Sequence, residues 1–117
     1  MFMLASLTSF SIEAASLGEQ SANRKLLIHN ARWGALGRVK ELLKNKASID
    51  CQDYDKKTAL MYAAGNNHIE VLQFLLQRQA DPLIQDNNLN IAFDYALNNK
   101  NLFAADILRA HNLRSFS

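Results

Sequence analysis

Asp53-Tyr54-Asp55-Lys56-Lys57-Thr58-Ala59-Leu60-Met61-Tyr62-Ala63-Ala64, followed by Asn67-His68-Ile69-Glu70-Val71-Leu72-Gln73-Phe74-Leu75-Leu76 and Ala80-Asp81, is the stretch that decides the fold. Leu60, Ala63 and Ala64 recur at helical spacing. Ile69, Leu72, Leu75 and Leu76 recur at i, i+3, i+6 and i+7, so each of two consecutive helices has one apolar face. Sliding the sequence on itself by 33 residues places Gln52-Asp53 on Gln85-Asp86, Tyr62-Ala63 on Tyr95-Ala96, Asn66 on Asn99 and Leu75 on Leu108. The same shift backwards places Leu27 on Leu60, Ala31 on Ala64, Leu42-Leu43 on Leu75-Leu76 and Ala47 on Ala80. The chain therefore reads as three helix-pair units, over about 23–52, 53–85 and 86–113.

Period and motif together resemble an ankyrin repeat, closely in the middle unit and more loosely in the outer two. The resemblance implies an all-α solenoid of helix-turn-helix units joined by β-hairpin-like loops, with two capping units around one regular unit. The local chemistry agrees with it. Thr58 stands where a hydroxyl caps the first helix, Leu60 where it fills the space between units, and Ala63 and Ala64 where small side chains let first helices approach. Asn67 replaces the usual glycine after the first helix, and Asn is the next residue best suited to a left-handed turn. His68 matches a position where the family carries a histidine that ties neighbouring turns together, which implies a structural hydrogen bond rather than catalysis.

Departures from the family pattern carry expectations of their own. Lys56 and Leu89 occupy the hairpin tips and Gln79 precedes Ala80 where glycine is usual, which predicts strained hairpins. Ile91-Ala92-Phe93-Asp94 opens the last unit in place of the usual Thr-Pro-Leu-His. Asn30 takes the place of a small buried alanine in the first unit.

Composition excludes several classes. The chain has 117 residues, 49% of them hydrophobic and 21% charged, with four glycines and one proline, which disfavours disorder and turn-rich all-β folds. A lone cysteine, Cys51, excludes an internal disulfide and any multi-cysteine metal site. Asp50 and Asp53 flank it and argue for a raised thiol pKa rather than a reactive thiolate. His29, His68 and His111 lack a metal-ligand partner at i+4, and Gly34 and Gly37 do not form a phosphate loop. Asp53, Asp55, Asp81 and Asp86 all fall in connections, where Asp satisfies backbone donors. The expectation is no enzyme, no cofactor, no metal and no small-molecule substrate.

Residues 1–22 differ from the repeat domain at 23–117: an apolar, hydroxyl-bearing run without Lys or Arg leads into Ala14-Ala15-Ser16. It reads as a secretory signal cleaved after Ser16, which implies export to a periplasm or the outside, or as a helix capping the first unit, which leaves a cytoplasmic site open. It is too short to span a membrane. Net charge is +2, but residues 24–46 hold seven basic residues and one acidic, a local +6. Lys40 and Lys44, four apart, mark an outer basic face.

The functional expectation is a monomeric module that binds another protein through the concave ankyrin surface. Its candidate contacts are Arg32 and Trp33 in the first unit, Tyr54, Asp55, Lys57, Gly65 and Asn66 in the second, and Asn87, Asn88, Asn90, Asn98 and Asn99 in the third. Trp33 leads them, because tryptophan is enriched at binding hot spots. Two rivals stand beside it. One is assembly or membrane attachment through residues 1–22; the other is binding of an anionic surface or nucleic acid through the basic first unit, with a steep salt dependence.

Overall fold

In the computed structural model, residues 22–45, 47–113 and the backbone of 114–115 are described. The proposals for residues 1–16 as a signal or capping segment lie outside them. Six helices follow one another among the described residues: α1 over 22–33, α2 Leu36–Lys44, α3 Ala59–Gly65, α4 Ile69–Gln77, α5 Ala92–Asn98 and α6 Leu102–Ser115. No strand occurs among the described residues.

Packing arranges them as two layers. The first helix of the middle unit, α3, lies on its counterpart α5, while α2, α4 and α6 stack behind them. The core between the layers is aliphatic: Leu27, Val39, Leu60, Val71, Leu72, Leu75 and Leu108 are the large buried side chains. Ala31, Ala59, Ala63, Ala64, Ala92 and Ala96 are buried beside them, so the first-helix layer stays thin. The alternation of long and small apolar side chains read from the sequence is thus the packing of the array.

Helix ends follow the expected chemistry. The Thr58 hydroxyl accepts from the Met61 N–H at 3.3 Å and caps α3. Ile91, at the same place in the last unit, has no oxygen to offer; instead the Asp94 carboxylate accepts from the Ile91 N–H at 2.9 Å, half of a capping box. Asn67 adopts φ 60° after α3, and Gly34 (φ 76°) and Lys100 (φ 60°) do so at the same place in the other two units. Lys56 (φ 61°), Leu89 (φ 64°) and Gln79 (φ 69°) also sit in the left-handed region, where the family would have glycine, so the expected strain is present.

The units are tied by a repeated set of bonds. The Asn66 side-chain amide donates to the Arg32 carbonyl at 3.0 Å, and Asn99, 33 residues on, donates to the Gly65 carbonyl at 2.8 Å. His68 Nε2 reaches the same Arg32 carbonyl at 3.0 Å. At the next interface Asn101 takes the place of the histidine and donates to the carbonyls of Ala64 and Gly65, each at 2.9 Å. Helix C-terminal carbonyls that would otherwise lack partners are satisfied by the following unit.

Candidate concave interface

Each hairpin is organised by an aspartate. Asp53 Oδ1 accepts from the N–H groups of Asp55 (3.0 Å) and Lys57 (2.9 Å), and Oδ2 accepts from the Tyr62 hydroxyl at 2.5 Å. Asp86 repeats this with the N–H groups of Asn88 and Asn90, both at 2.9 Å, and with the Tyr95 hydroxyl. Burial alone would raise the Asp86 carboxyl, but the Tyr95 hydroxyl and the two N–H donors outweigh it and hold the group below its ordinary value. Burial and the hydrogen bonds to Asp53 and Asp86 push both tyrosines up to about 12.

Tyr62 stands between two cations, and Tyr95 meets one of them. The Arg32 guanidinium lies 5.7 Å from the Tyr62 ring centroid and 5.9 Å from that of Trp33. The Lys57 ammonium lies 5.6 Å from Tyr62 and 5.3 Å from Tyr95, so one lysine spans two units. His29 meets Trp33 edge to face at 6.4 Å. Two adjoining concavities run along this face. One, of about 610 Å³, is bounded by Arg24, Lys25, His29, Arg32, Tyr54 and Tyr62 among others; the other, of about 220 Å³, includes Arg32, Lys57, Tyr62, Tyr95 and Asn99. Arg32 and Tyr62 belong to both and join them.

The candidate contacts divide into two groups on this surface. Trp33 is 66% exposed, Tyr54 is 97% exposed, and Arg32, Asp55, Asn88 and Asn98 are exposed as well. Lys57, Gly65 and Asn90 are half-buried. Asn66 and Asn99 spend their amides on inter-unit bonds, and the Asn87 amide donates to the Tyr54 carbonyl at 3.3 Å. Asn90 lies within the Asp86 loop, its N–H and carbonyl both engaged. Asn66, Asn87, Asn90 and Asn99 therefore serve first as connectors, while Asn88 and Asn98 stay exposed. Sequence reasoning passed over Tyr62, Tyr95, Arg24, Lys25 and His29. The signal was present in the 33-residue register, which aligns Tyr62 with Tyr95 and Arg24 with Lys57.

Cys51 is buried, its thiol facing the Arg24 carbonyl at 3.7 Å, and burial is the main cause of its raised pKa, ahead of the neighbouring aspartates. No cluster of three or more His, Cys, Asp or Glu suited to a metal occurs among the described residues. No described helix is long and apolar enough to cross a membrane.

The family model described as ankyrin repeats (many copies) matches residues 42–96, covering the middle unit and its junctions with both neighbours. Residues 42–96 are ankyrin repeats. Among curated proteins, a putative ankyrin repeat protein of Acanthamoeba polyphaga mimivirus is 38% identical over 68 residues, 57% of this chain and 16% of the mimivirus protein. The mitochondrial liver isoform of glutaminase is 29% identical over 87 residues in Mus musculus and 28% in Rattus norvegicus, in each case 74% of this chain and 14% of the glutaminase. The chain thus spans only about one-seventh of the length of these relatives. Ankyrin repeats in general mediate protein-protein interaction and are non-enzymatic.

Proposed function

We propose that this chain is a non-enzymatic binding module that holds a partner protein along its concave face. The observation that supports this reading is the cation-aromatic array running unbroken from Trp33 through Arg32, Tyr62 and Lys57 to Tyr95, with Tyr54 standing fully exposed at its rim. Arginine, tryptophan and tyrosine are the residue types enriched at binding hot spots. Exposed aromatics over a packed aliphatic core give the fold nothing that a polar side chain would not.

The test compares two faces of the intact chain. Its partner is first captured by affinity purification, and the affinity of that partner is then measured for Trp33→Ala and Tyr54→Ala. Each is expected to weaken binding by about thirtyfold, the equivalent of about 2 kcal/mol, while leaving thermal stability nearly unchanged. Lys40→Glu with Lys44→Glu, on the opposite face, is expected to leave binding intact. Loss of binding in the lysine pair alone would transfer the function to the basic outer face. Lys40 already lies over the Phe74 ring at 5.4 Å, which favours a packing role for it.

A further inference from the structure

We infer that the occupant of the concave face is an extended, acidic peptide segment whose carboxylates recur about every third residue. This rests on the concave-face reading above and adds the chemistry of the partner.

The first support is the charge left over on this face. Among the described residues, Arg24, Lys25, Arg32 and Lys57 have no carboxylate within ion-pairing distance; the ion pair found there is Arg109 with Asp106, on α6. Three acids stand by the groove: Asp53 and Asp86, each accepting two backbone N–H bonds and a tyrosine hydroxyl, and the exposed Asp55, near enough to raise both tyrosine hydroxyls. The four cations outnumber these three acids and none of them is in ion-pair contact among the described residues, so the groove keeps a positive excess that carboxylates complement.

The second support is preorganisation. Arg32 and Lys57 are held against aromatic faces rather than in ion-pair contact, so their side chains are already ordered; Lys57 also feels the charge of Asp86, while Arg32 has no carboxylate in contact among the described residues. A carboxylate arriving there meets a fixed donor and incurs less ordering cost than at a free surface lysine. On Tyr62 and Tyr95 the same arrangement leaves little ring face for the base stacking that a single-stranded nucleic acid needs. Tyr62 has Arg32 and Lys57 over its ring, and Lys57 also covers Tyr95.

The third support is spacing. Arg24 and Lys57 are 33 residues apart; Arg24 stands in the first turn of α1 and Lys57 in the connection ahead of α3, and they line the two adjoining concavities. Neighbouring helices pack about 8–10 Å apart, and an extended chain rises about 3.3 Å per residue. Carboxylates three residues apart would therefore meet cations of successive units, with Arg32 lying between the two concavities.

The test uses the full chain and a labelled twelve-residue peptide with glutamate at every third position in a serine-glycine background. Fluorescence anisotropy compares it with the same peptide carrying glutamine in place of glutamate, and with a twelve-nucleotide thymidine strand as competitor. The glutamate peptide is expected to bind, the glutamine peptide at least tenfold more weakly. Arg32→Gln with Lys57→Gln is expected to weaken the glutamate peptide roughly tenfold, and Lys40→Gln with Lys44→Gln not at all. Neither groove change touches the Arg32 carbonyl that anchors Asn66 and His68, and a thermal melt of each variant checks that the fold survives. Equal binding of both peptides, still lost in the groove variant, would overturn the acidic inference and leave the concave face as the binding surface. Binding lost only in the outer-face variant would overturn both. No binding of the glutamate peptide, or its displacement by the thymidine strand at lower concentration than by unlabelled peptide, would overturn the acidic-peptide inference.

Discussion

His68 Nε2 lies 3.0 Å from the carbonyl oxygen of Arg32, and the ring that makes this bond fills the space a side chain at residue 34 would need. A Cβ at Gly34 would stand 2.5 Å from the His68 Nδ1. The turn after α1 also has φ 76°, so it depends on glycine for conformation and for room at once.

Gly34→Ala is accordingly expected to lower stability by about 1–3 kcal/mol in urea denaturation. Gly37→Ala is the control: it lies in α2 with nothing within 4 Å of its missing Cβ, and should leave stability unchanged or raise it by up to about 1 kcal/mol.

Leu75 is completely buried where α4 meets the first-helix layer. Leu75→Ala is expected to cost about 2–5 kcal/mol, enough to unfold much of a three-unit array at room temperature. A midpoint within experimental scatter of the parent would contradict the packing of α4.

Lys56 and Leu89 take φ of 61° and 64° at the hairpin tips. Replacing each by glycine removes the left-handed penalty of the side chain, partly offset by a freer unfolded chain, for an expected gain of about 0.5–1 kcal/mol apiece. Leu89 is 70% exposed, so its loss removes no core contact. Denaturant midpoints of the single and double glycine variants check the gain and its additivity.

Stability should fall at both ends of the pH scale, through Asp86 in acid and through the buried, hydrogen-bonded Tyr62 and Tyr95 in alkali. The Asp86 carboxyl is held below its ordinary value, so its contribution is present above the unfolded value of about 4 and is lost as pH falls through the folded value. Tyr62 and Tyr95 are raised to about 12, so their contribution is intact below about pH 10, the unfolded value, and disappears as pH rises toward 12. Tyr95→Phe should flatten the alkaline decline, and Asp86→Asn the acid one. Urea midpoints across pH, with phenolate absorbance to follow the tyrosines, report both.

The fold was legible because the residues that make it act locally. Thr58 caps, Asn67 turns and the leucines of α4 form a stripe, and each of these can be read within a dozen residues of sequence. The concave face was legible only in part, because its chemistry arises between units. Lys57 matters for touching Tyr62 and Tyr95 together, and Arg32 for reaching Tyr62 across a unit boundary. Tyr62 was hidden further by sitting one position from the buried Ala63, within a helix otherwise read as core. The asparagines were misleading in the opposite sense: exposed, polar and repeated, Asn66 and Asn99 look like interface residues, yet their amides hold the array together.

The inter-unit bonds made at the helix ends point one way. Donors stand on the later unit and acceptors on the earlier, with Asn66 and His68 reaching back to Arg32, and Asn99 and Asn101 to Gly65. One period earlier the donor positions hold Trp33 and Ala35, which have no amide or imidazole to offer. The joining of helix ends is thus directional, and its donors first stand on the second unit.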